Sequence, residues 1–185
     1  MAVHALKHRF TVSEYRRMVE AGIFGEDDRV ELLEGEIVQM SPIGSRHAAC
    51  VARLTTLLAR LHDRAIPWVQ NPVVLGEYSE LQPDITLLRF REDFYAQTLP
   101  GPHDVLLLIE VADSSVEYDQ EIKVPLYSRA GVAEVWLVNL VQQRVTVYGA
   151  PSPVGYQEVR VATPGETVSP RSFPELEISV GELLG

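Results

Sequence analysis

Two acidic residues in apolar, strand-like surroundings are the first candidates for chemistry in this chain. Asp84 follows Pro83 at the start of one strand-like run, and Glu110 interrupts a second, almost wholly apolar run over 104–112. A lone ionised carboxylate on a buried central strand costs several kcal/mol unless it is paired or bound to a cation. A shared divalent metal ion would keep both carboxylates charged, so a metal-dependent hydrolase is the leading hypothesis.

The composition restricts the class of protein. The 185 residues, 46% of them hydrophobic and 23% charged, suit one globular domain with a sizeable core. The single cysteine, Cys50, excludes an internal disulfide and a cysteine-based zinc cage. No segment has the pattern of a signal peptide or the length of a bilayer-spanning run, so we expect a cytoplasmic protein with no membrane partner.

The net charge limits how the chain could contact nucleic acid. A formal charge of −10 argues against a broad, non-specific nucleic-acid coat. Any such contact must use a local basic patch or metal ions. Four arginines are candidates for a phosphate-facing patch, or for offsetting nearby acids: Arg16, Arg46, Arg53 and Arg129.

The elements that must position these residues follow from hydrophobic periodicity and turn chemistry. The capping-box spacing of Thr11 and Glu14 predicts a short leading helix. Residues 30–40 predict two short strands around the turn at Glu34 and Gly35.

Two longer helices and several strands follow. Apolar residues at three- and four-residue steps predict a helix over 46–63, for which Ser45 is a candidate N-cap. A second helix is predicted over 117–130, ended by Gly131. Strands are predicted over 68–76, 82–89, 104–112, 133–139, 144–148 and 156–162.

The order of these elements predicts the fold. From about residue 45 to 140 it reads helix, strand, strand, strand, helix, strand, which is the core order of the restriction-endonuclease-like fold. We therefore predict a single α/β (α+β) domain over 1–185, with a mixed central sheet flanked by helices. An N-terminal helix and hairpin at 10–40 and a C-terminal hairpin and tail at 144–185 would be added to this core.

The chain also resembles a known family. The segments that carry the resemblance are Glu31–Val38, Met40–Pro42 with His47, Pro83–Asp84, Ile109–Val111 with Ser114–Ser115, Asp119 and Lys123, and Tyr127 through Gly131–Val132 to Trp136–Val138. On these residues the chain resembles the Uma-two family of candidate restriction endonucleases, within the PD-(D/E)XK nuclease superfamily. The resemblance implies a metal-dependent phosphodiesterase site acting on nucleic acid, DNA being the expected substrate.

The superfamily motif transfers to this sequence with one departure. Asp84 is the aspartate of the Pro-Asp step and Glu110 is the acid of the (D/E)XK element, but the position two after Glu110 is Ala112 instead of lysine. The resemblance implies that the cation comes from the following helix, where Lys123 is the matching residue. Pro125 predicts a kink, or a helix start, near residue 125.

Phosphodiester hydrolysis explains why these residue types would stand together. A hard Mg²⁺ or Mn²⁺ ion held by Asp84, Glu110 and the backbone carbonyl of Val111 would activate water and neutralise charge on the phosphoryl oxygens. As further catalytic candidates, Lys123 would orient water and stabilise the transition state, and Glu31 could hold a metal-bound water or a second ion. The remaining candidate, His47, could contact phosphate or tune the metal.

Each candidate also has a structural interpretation. Asp84 could be a strand-start cap, and Lys123 could pair with Asp119 on an exposed helix face. His47 could be solvated in a first helical turn. Glu34 and Glu36, which alternate with Glu31 on the hairpin, are expected to be solvated, and Tyr127 and Trp136 to be packing residues.

Three readings of the whole protein therefore stay open. The first is a metal-dependent endonuclease, and the second is a nuclease-fold module that has lost turnover and binds nucleic acid or protein. The third is a structural protein whose buried acids pair with arginines. A homodimer is expected for cleavage of both strands, with an apolar contact from Tyr148, Tyr156 and Phe173.

Overall fold

The computed structural model describes residues 7–25 and 28–185. The protein is a mixed α+β structure built on two larger sheets, which confirms the predicted fold class. The central sheet has six strands in the order β10-β9-β8-β7-β6-β3, and a smaller sheet has four in the order β2-β1-β5-β4. A two-stranded ribbon of β11 and β12 completes the strand pairing among the described residues.

The elements have the following bounds. The helices are α1 (Val12–Glu20), α2 (Ser45–Leu58), α3 (Val116–Tyr118), α4 (Val124–Ala130) and α5 (Val180–Leu184), and a π-helical segment (Asp119–Lys123) joins α3 to α4. The strands are β1 (Val30–Leu33), β2 (Glu36–Gln39), β3 (Ala65–Val69), β4 (Val73–Gly76), β5 (Ser79–Leu81), β6 (Ile85–Arg89), β7 (Val105–Ala112), β8 (Glu134–Asn139), β9 (Arg144–Gly149), β10 (Glu158–Ala162), β11 (Thr167–Val168) and β12 (Ile178–Ser179).

The N-terminal elements form as their local sequence predicts. The side chain of Thr11 accepts a hydrogen bond from the Glu14 N–H and the Glu14 carboxylate accepts from the Thr11 N–H, so the predicted capping box begins α1. Strands β1 and β2 pair antiparallel around Glu34 and Gly35, which both adopt positive φ angles of 49° and 86°. The hairpin places β1 beside β5 in the small sheet.

Helix α2 covers one face of the central sheet. Its apolar residues, including Leu54 and Leu58, pack with Leu107 and Ile109 of β7 and with Trp136 of β8. The cap prediction was wrong: Ser45 is the first helical residue, and Gly44 is the N-cap without a side-chain hydrogen bond. The regular helix ends at Leu58, and one turn of 3₁₀ helix continues it to Leu61.

The predicted strand over 68–76 was also wrong, because the chain makes two strands there that belong to different sheets. β3 lies at the edge of the central sheet, paired with β6, whereas β4 pairs with β5 in the small sheet. When β4 and β5, which belong to the small sheet, are set aside, the remaining elements follow the order α2, β3, β6, β7, helix and β8. This is the predicted core order. β7 and β8 are parallel, and the other neighbouring strands of the sheet are antiparallel, so the sheet is mixed.

The second predicted helix is continuous but irregular. The five residues before Val124 form a π-helical segment, in which the Val124 N–H donates to the Asp119 carbonyl. Pro125 lies in the first turn of α4, where its missing N–H is tolerated, so the helix passes through the proline. Gly131 ends α4 in the left-handed conformation, with φ of 84°, as predicted.

The C-terminal region completes the core. β9 and β10 form the predicted hairpin on the edge of the central sheet. Phe173 is 5% exposed and packs in the same core as α2, so the prediction that it supplies a dimer contact was wrong. Tyr148 and Tyr156 contact each other at a ring-centroid distance of 5.8 Å.

No helix of the described residues is both long and apolar enough to cross a membrane.

Candidate active site

A cavity of about 520 Å³ opens beside the end of the central sheet. Its lining residues come from the small sheet, from the ends of β6 and β7, and from the helices on both faces of the central sheet. All six of the residues predicted for the site line it: Glu31, His47, Asp84, Glu110, Val111 and Lys123. The catalytic and metal-binding roles of these residues stay predictions.

The Pro-Asp step ends the ladder between β6 and β7. Ile85 is opposite Ile109, and the Val111 N–H points toward β6, so the next hydrogen-bonded pair would join Pro83 to Val111. Because proline has no N–H, that pair cannot form, and the Val111 N–H donates to Asp84 Oδ2 at 2.8 Å instead. The Val111 carbonyl points the same way and receives no ladder donor from Pro83.

The second oxygen of Asp84 binds the start of α2. His47 Nε2 lies 2.9 Å from Asp84 Oδ1, and the Gln70 side chain donates to the same oxygen at 3.4 Å. The hydrogen bond to Asp84 raises the pKa of His47 above its ordinary value, although burial acts in the opposite direction. The imidazole is therefore fixed by the aspartate and is favoured in its charged form. Its Nδ1 is buried without a partner among the described residues.

Glu110 lies on the opposite face of the sheet from the α2 core. Side chains alternate along β7, so Ile109 and Val111 face α2 while Glu110 faces α4. Glu110 Oε1 accepts hydrogen bonds from the Tyr127 hydroxyl at 2.5 Å and from Lys123 Nζ at 3.4 Å. Burial raises the pKa of Glu110 to about 8, and the charge of Lys123 opposes that rise.

Lys123 is the buried cation of the site. Its Nζ lies 3.3 Å from Glu31 Oε1 and 3.4 Å from Glu110 Oε1, and its side chain is 7% exposed. Burial alone would lower the pKa of Lys123, but the charges of Glu110, Glu31 and Asp119 raise it above its ordinary value. Lys123 therefore stays an ammonium ion, and the alternative of an exposed surface pair with Asp119 was wrong.

Glu31 is the inward-facing acid of the first hairpin. It is 2% exposed, and its second oxygen accepts from the Gln82 N–H at 3.4 Å. Glu34 and Glu36 are exposed, as expected, and pair with Arg129 and Lys7. The smaller sheet thus contributes one carboxylate to a cavity whose other acids come from the central sheet and the helix after it.

A comparison by sequence identifies the family of the chain. Residues 12–181 match the family model described as "Uma2: Putative restriction endonuclease". The chain belongs to the Uma2 family. The match includes every predicted site residue, from Glu31 to Lys123.

The fold of this Uma2 protein has a solved counterpart. Its structure superposes with a TM-score of 0.74 on the crystal structure of "a putative nuclease belonging to DUF820" from Anabaena variabilis, at 20% sequence identity. The alignment covers 95% of this chain and 97% of that chain. At this identity the likeness shows the shared fold. None of the curated proteins compared with the chain matches it.

The structure adds two residues, Tyr127 and Asp119, to those that the sequence suggested for the site. Tyr127 is a packing residue, as expected, but its hydroxyl also binds Glu110. Asp119 is buried and accepts from the Ser115 hydroxyl at 2.5 Å, and burial raises its pKa to about 6. The four-residue spacing of Asp119, Lys123 and Tyr127 is a signal that sequence reasoning could have used, since it places all three on one side of a helix.

The arginines predicted as a phosphate patch are held separately. Arg16 pairs with Glu80 at 2.7 Å, Arg46 with Asp113 at 3.3 Å and Arg129 with Glu34 at 3.0 Å. Arg53 donates to the carbonyls of Leu183 and Leu184. Each arginine thus has its own neighbour, which argues against a common patch.

The interpretation in which Asp84 and Glu110 pair with arginines was wrong as well. Within residues 7–25 and 28–185, the side-chain partners of Asp84 are His47 and Gln70, and those of Glu110 are Tyr127 and Lys123. The hypothesis of a structural protein depended on ion pairs between these acids and arginines, and the structure does not contain those pairs among the described residues.

The donor atoms suit a hard divalent cation. Asp84, Glu110 and the Val111 carbonyl supply only oxygen, which is what Mg²⁺ and Mn²⁺ prefer. In the described part of the chain, no group of three or more His, Cys, Asp or Glu side chains is arranged as a metal cage. A bound ion would therefore depend on two carboxylates and a carbonyl, with water or substrate oxygens completing its coordination.

Proposed function

We propose that this Uma2 protein is a Mg²⁺- or Mn²⁺-dependent endonuclease that hydrolyses phosphodiester bonds in nucleic acid, with DNA as the expected substrate. The observation that carries the proposal is the buried ammonium of Lys123, within 3.4 Å of Glu110 and 3.3 Å of Glu31, in the cavity that Asp84 also lines. This arrangement supports a catalytic role for a cationic side chain that comes from the helix and not from the strand of Glu110.

Each residue has a distinct task in this proposal. Asp84 and Glu110 would hold the divalent ion with the Val111 carbonyl. When bound, such an ion lowers the pKa of water and neutralises charge on the scissile phosphate. Lys123 would stabilise the negative charge that grows on the phosphoryl oxygens, because it is kept charged and has little freedom to move. Glu31 would hold Lys123 in place.

The electrostatics of the cavity support a cation-dependent site. Five acidic side chains, those of Glu31, Asp84, Glu110, Asp113 and Asp119, line the cavity beside the Lys123 ammonium, the His47 imidazole and the Arg29 guanidinium. A nucleic-acid phosphate would be repelled by such a group unless additional positive charge were present. A divalent ion would supply that charge.

Cleavage assays test the proposal directly. Purified protein is incubated with supercoiled plasmid, single-stranded DNA and RNA, each with Mg²⁺, with Mn²⁺ and with chelator. We expect nicking with either ion and none with chelator, and loss of nicking in Asp84→Asn and in Glu110→Gln. Glu34→Gln removes an exposed carboxylate that pairs with Arg129, and it should cleave at the wild-type rate. Wild-type cleavage by either site variant would refute the assignment.

A second candidate is a binding module of the same fold without turnover. It is favoured by the ion pairs of Lys123, which already neutralise part of the acid group without a metal. This candidate predicts binding of fluorescent oligonucleotides that is indifferent to chelator, together with no cleavage of any substrate. Fluorescence anisotropy with and without Mn²⁺ separates it from the nuclease.

We further propose a homodimer, since two related sites allow both strands of a duplex to be cut. The structure offers the edge strand β10, on which Val159 and Val161 are exposed, in place of the buried Phe173. Sedimentation at micromolar concentration should give twice the 20.7 kDa chain mass. A monomer there would refute the dimer without affecting single-strand nicking.

A further inference from the structure

We propose that Tyr127 is a positioning residue for the metal site: its hydroxyl fixes Glu110 so that carboxylate oxygen Oε2 is presented to the divalent ion. This inference rests on the proposed function, because it assumes that Glu110 holds a cation. Tyr127 itself would touch neither the ion nor the substrate.

The two oxygens of the Glu110 carboxylate have different surroundings. Oε1 accepts from both the Tyr127 hydroxyl and the Lys123 ammonium, at 2.5 and 3.4 Å. Oε2 accepts from no described residue, and it is not among the buried polar atoms that lack a partner. It therefore keeps contact with solvent. Since Glu110 lines the cavity, Oε2 is the oxygen available to a ligand.

The ring of Tyr127 holds the hydroxyl in place. The side chain is 0% exposed and packs in the core between the central sheet and α4, with Leu108 of β7 and Val135 of β8 among its cluster. A ring packed in this way has little rotational freedom, so the hydroxyl has a fixed position. Lys123 approaches from the preceding turn and binds the same oxygen.

Removal of the hydroxyl would free the carboxylate. With phenylalanine in place of Tyr127, Oε1 keeps only the longer contact with Lys123, and the carboxylate can rotate and exchange its two oxygens. Residues that orient a metal ligand in this way typically change metal affinity by about 10–100-fold when they are mutated. A residue that only packs would change stability and leave the affinity of the folded protein unaltered.

Calorimetric titration with Mn²⁺ tests this role without any substrate. We expect Tyr127→Phe to bind Mn²⁺ about 10-fold or more weakly than wild type. Tyr156→Phe is the matched control, since the Tyr156 hydroxyl also donates one short hydrogen bond, to the Val132 carbonyl at 2.7 Å, and Tyr156 is not among the residues that line the cavity. This control should lose comparable stability and keep the wild-type dissociation constant.

The outcomes separate the inference from the proposed function. Wild type that binds Mn²⁺ beside a Tyr127→Phe protein of equal affinity overturns the role of Tyr127 and leaves the metal site intact. Wild type that binds no Mn²⁺ overturns the metal site and the inference together. If Tyr127→Phe is partly unfolded, all proteins are titrated in trimethylamine N-oxide, which favours the compact state. Equal affinities under those conditions count equally against the inference.

Discussion

The two acids of the site lie in different environments, although a single strand end brings them together. Asp84 stands at the end of β6, and its oxygens accept from a backbone N–H, an imidazole and an amide. Glu110 is buried within β7, where it meets a hydroxyl and an ammonium. The first environment stabilises a carboxylate by hydrogen bonds, whereas the second disfavours its charge by burial and depends on Lys123 to compensate.

The site therefore has two parts with different surroundings: a hydrogen-bonded half around Asp84 and a buried half around Glu110. The face of the sheet covered by α2 provides His47, which is joined to Asp84. The face covered by α4 provides Lys123 and Tyr127, which are joined to Glu110. Perturbation of the two halves should therefore give different effects on stability and on titration, and the following predictions test that contrast.

Removal of the buried cation should have the largest effect. Lys123→Met leaves the buried Glu31 carboxylate without its ammonium partner, and loss of one partner of a buried pair costs roughly 3–5 kcal/mol in the free energy of unfolding. The exposed pair of Lys7 with Glu36 is the control, because Lys7→Met should cost about 1 kcal/mol or less. Urea denaturation of both variants measures the contrast.

The same variant tests catalysis. In the proposed nuclease, Lys123→Met should lower turnover by a factor on the order of 100 or more where the protein remains folded. A variant with wild-type turnover and wild-type stability would show that Lys123 belongs to neither the structure nor the chemistry of the site.

The next largest effect should be on the pH dependence of stability, through the buried carboxyl of Glu110. The carboxyl of Glu110 has an ordinary pKa of 4.5, and burial raises its pKa in the folded protein to about 8. Between these values the folded state holds a proton that the unfolded chain has lost. The unfolding free energy should therefore fall as pH rises through this window, with that contribution lost above about 8.

Glu110→Gln should flatten this slope. Asp119 and His47 also titrate with raised pKa values and contribute in the same direction, Asp119 mostly below its value of about 6. The difference between wild type and Glu110→Gln from pH 6.5 to 8.5 isolates the glutamate. If the plots of unfolding free energy against pH are parallel for the two proteins, burial does not raise the pKa of Glu110.

The smallest expected effect belongs to the hydrogen-bonded half. Asp84→Asn removes the charge that accepts from His47, so the pKa of His47 should fall back toward its ordinary value of 6.5. Nuclear magnetic resonance titration of the histidine ring measures this shift. An unchanged His47 would show that Asp84 does not set its protonation.

Much of the secondary structure could be read from local sequence. The capping box of Thr11, the periodicity of α2 and the left-handed Gly131 depend on interactions within a few residues, which is why their predictions were confirmed. The division of residues 68–76 between two sheets was missed. The composition of this segment does not indicate that β3 pairs with β6 and β4 with β5, because strand pairing is decided by contacts between residues that are distant in the chain.

The sequence by itself determined the types of residue available for chemistry: a proline that ends a ladder, two strand acids, and a lysine on the helix that follows them. Only the tertiary structure decided their partners. The π-helical segment, the packing of Tyr127 and the approach of β1 bring Lys123 between Glu31 and Glu110, which are separated by 79 positions in the chain. Burial then raises the pKa of the Glu110 carboxyl, and the degree of burial is a property of the assembled core that no local pattern contains.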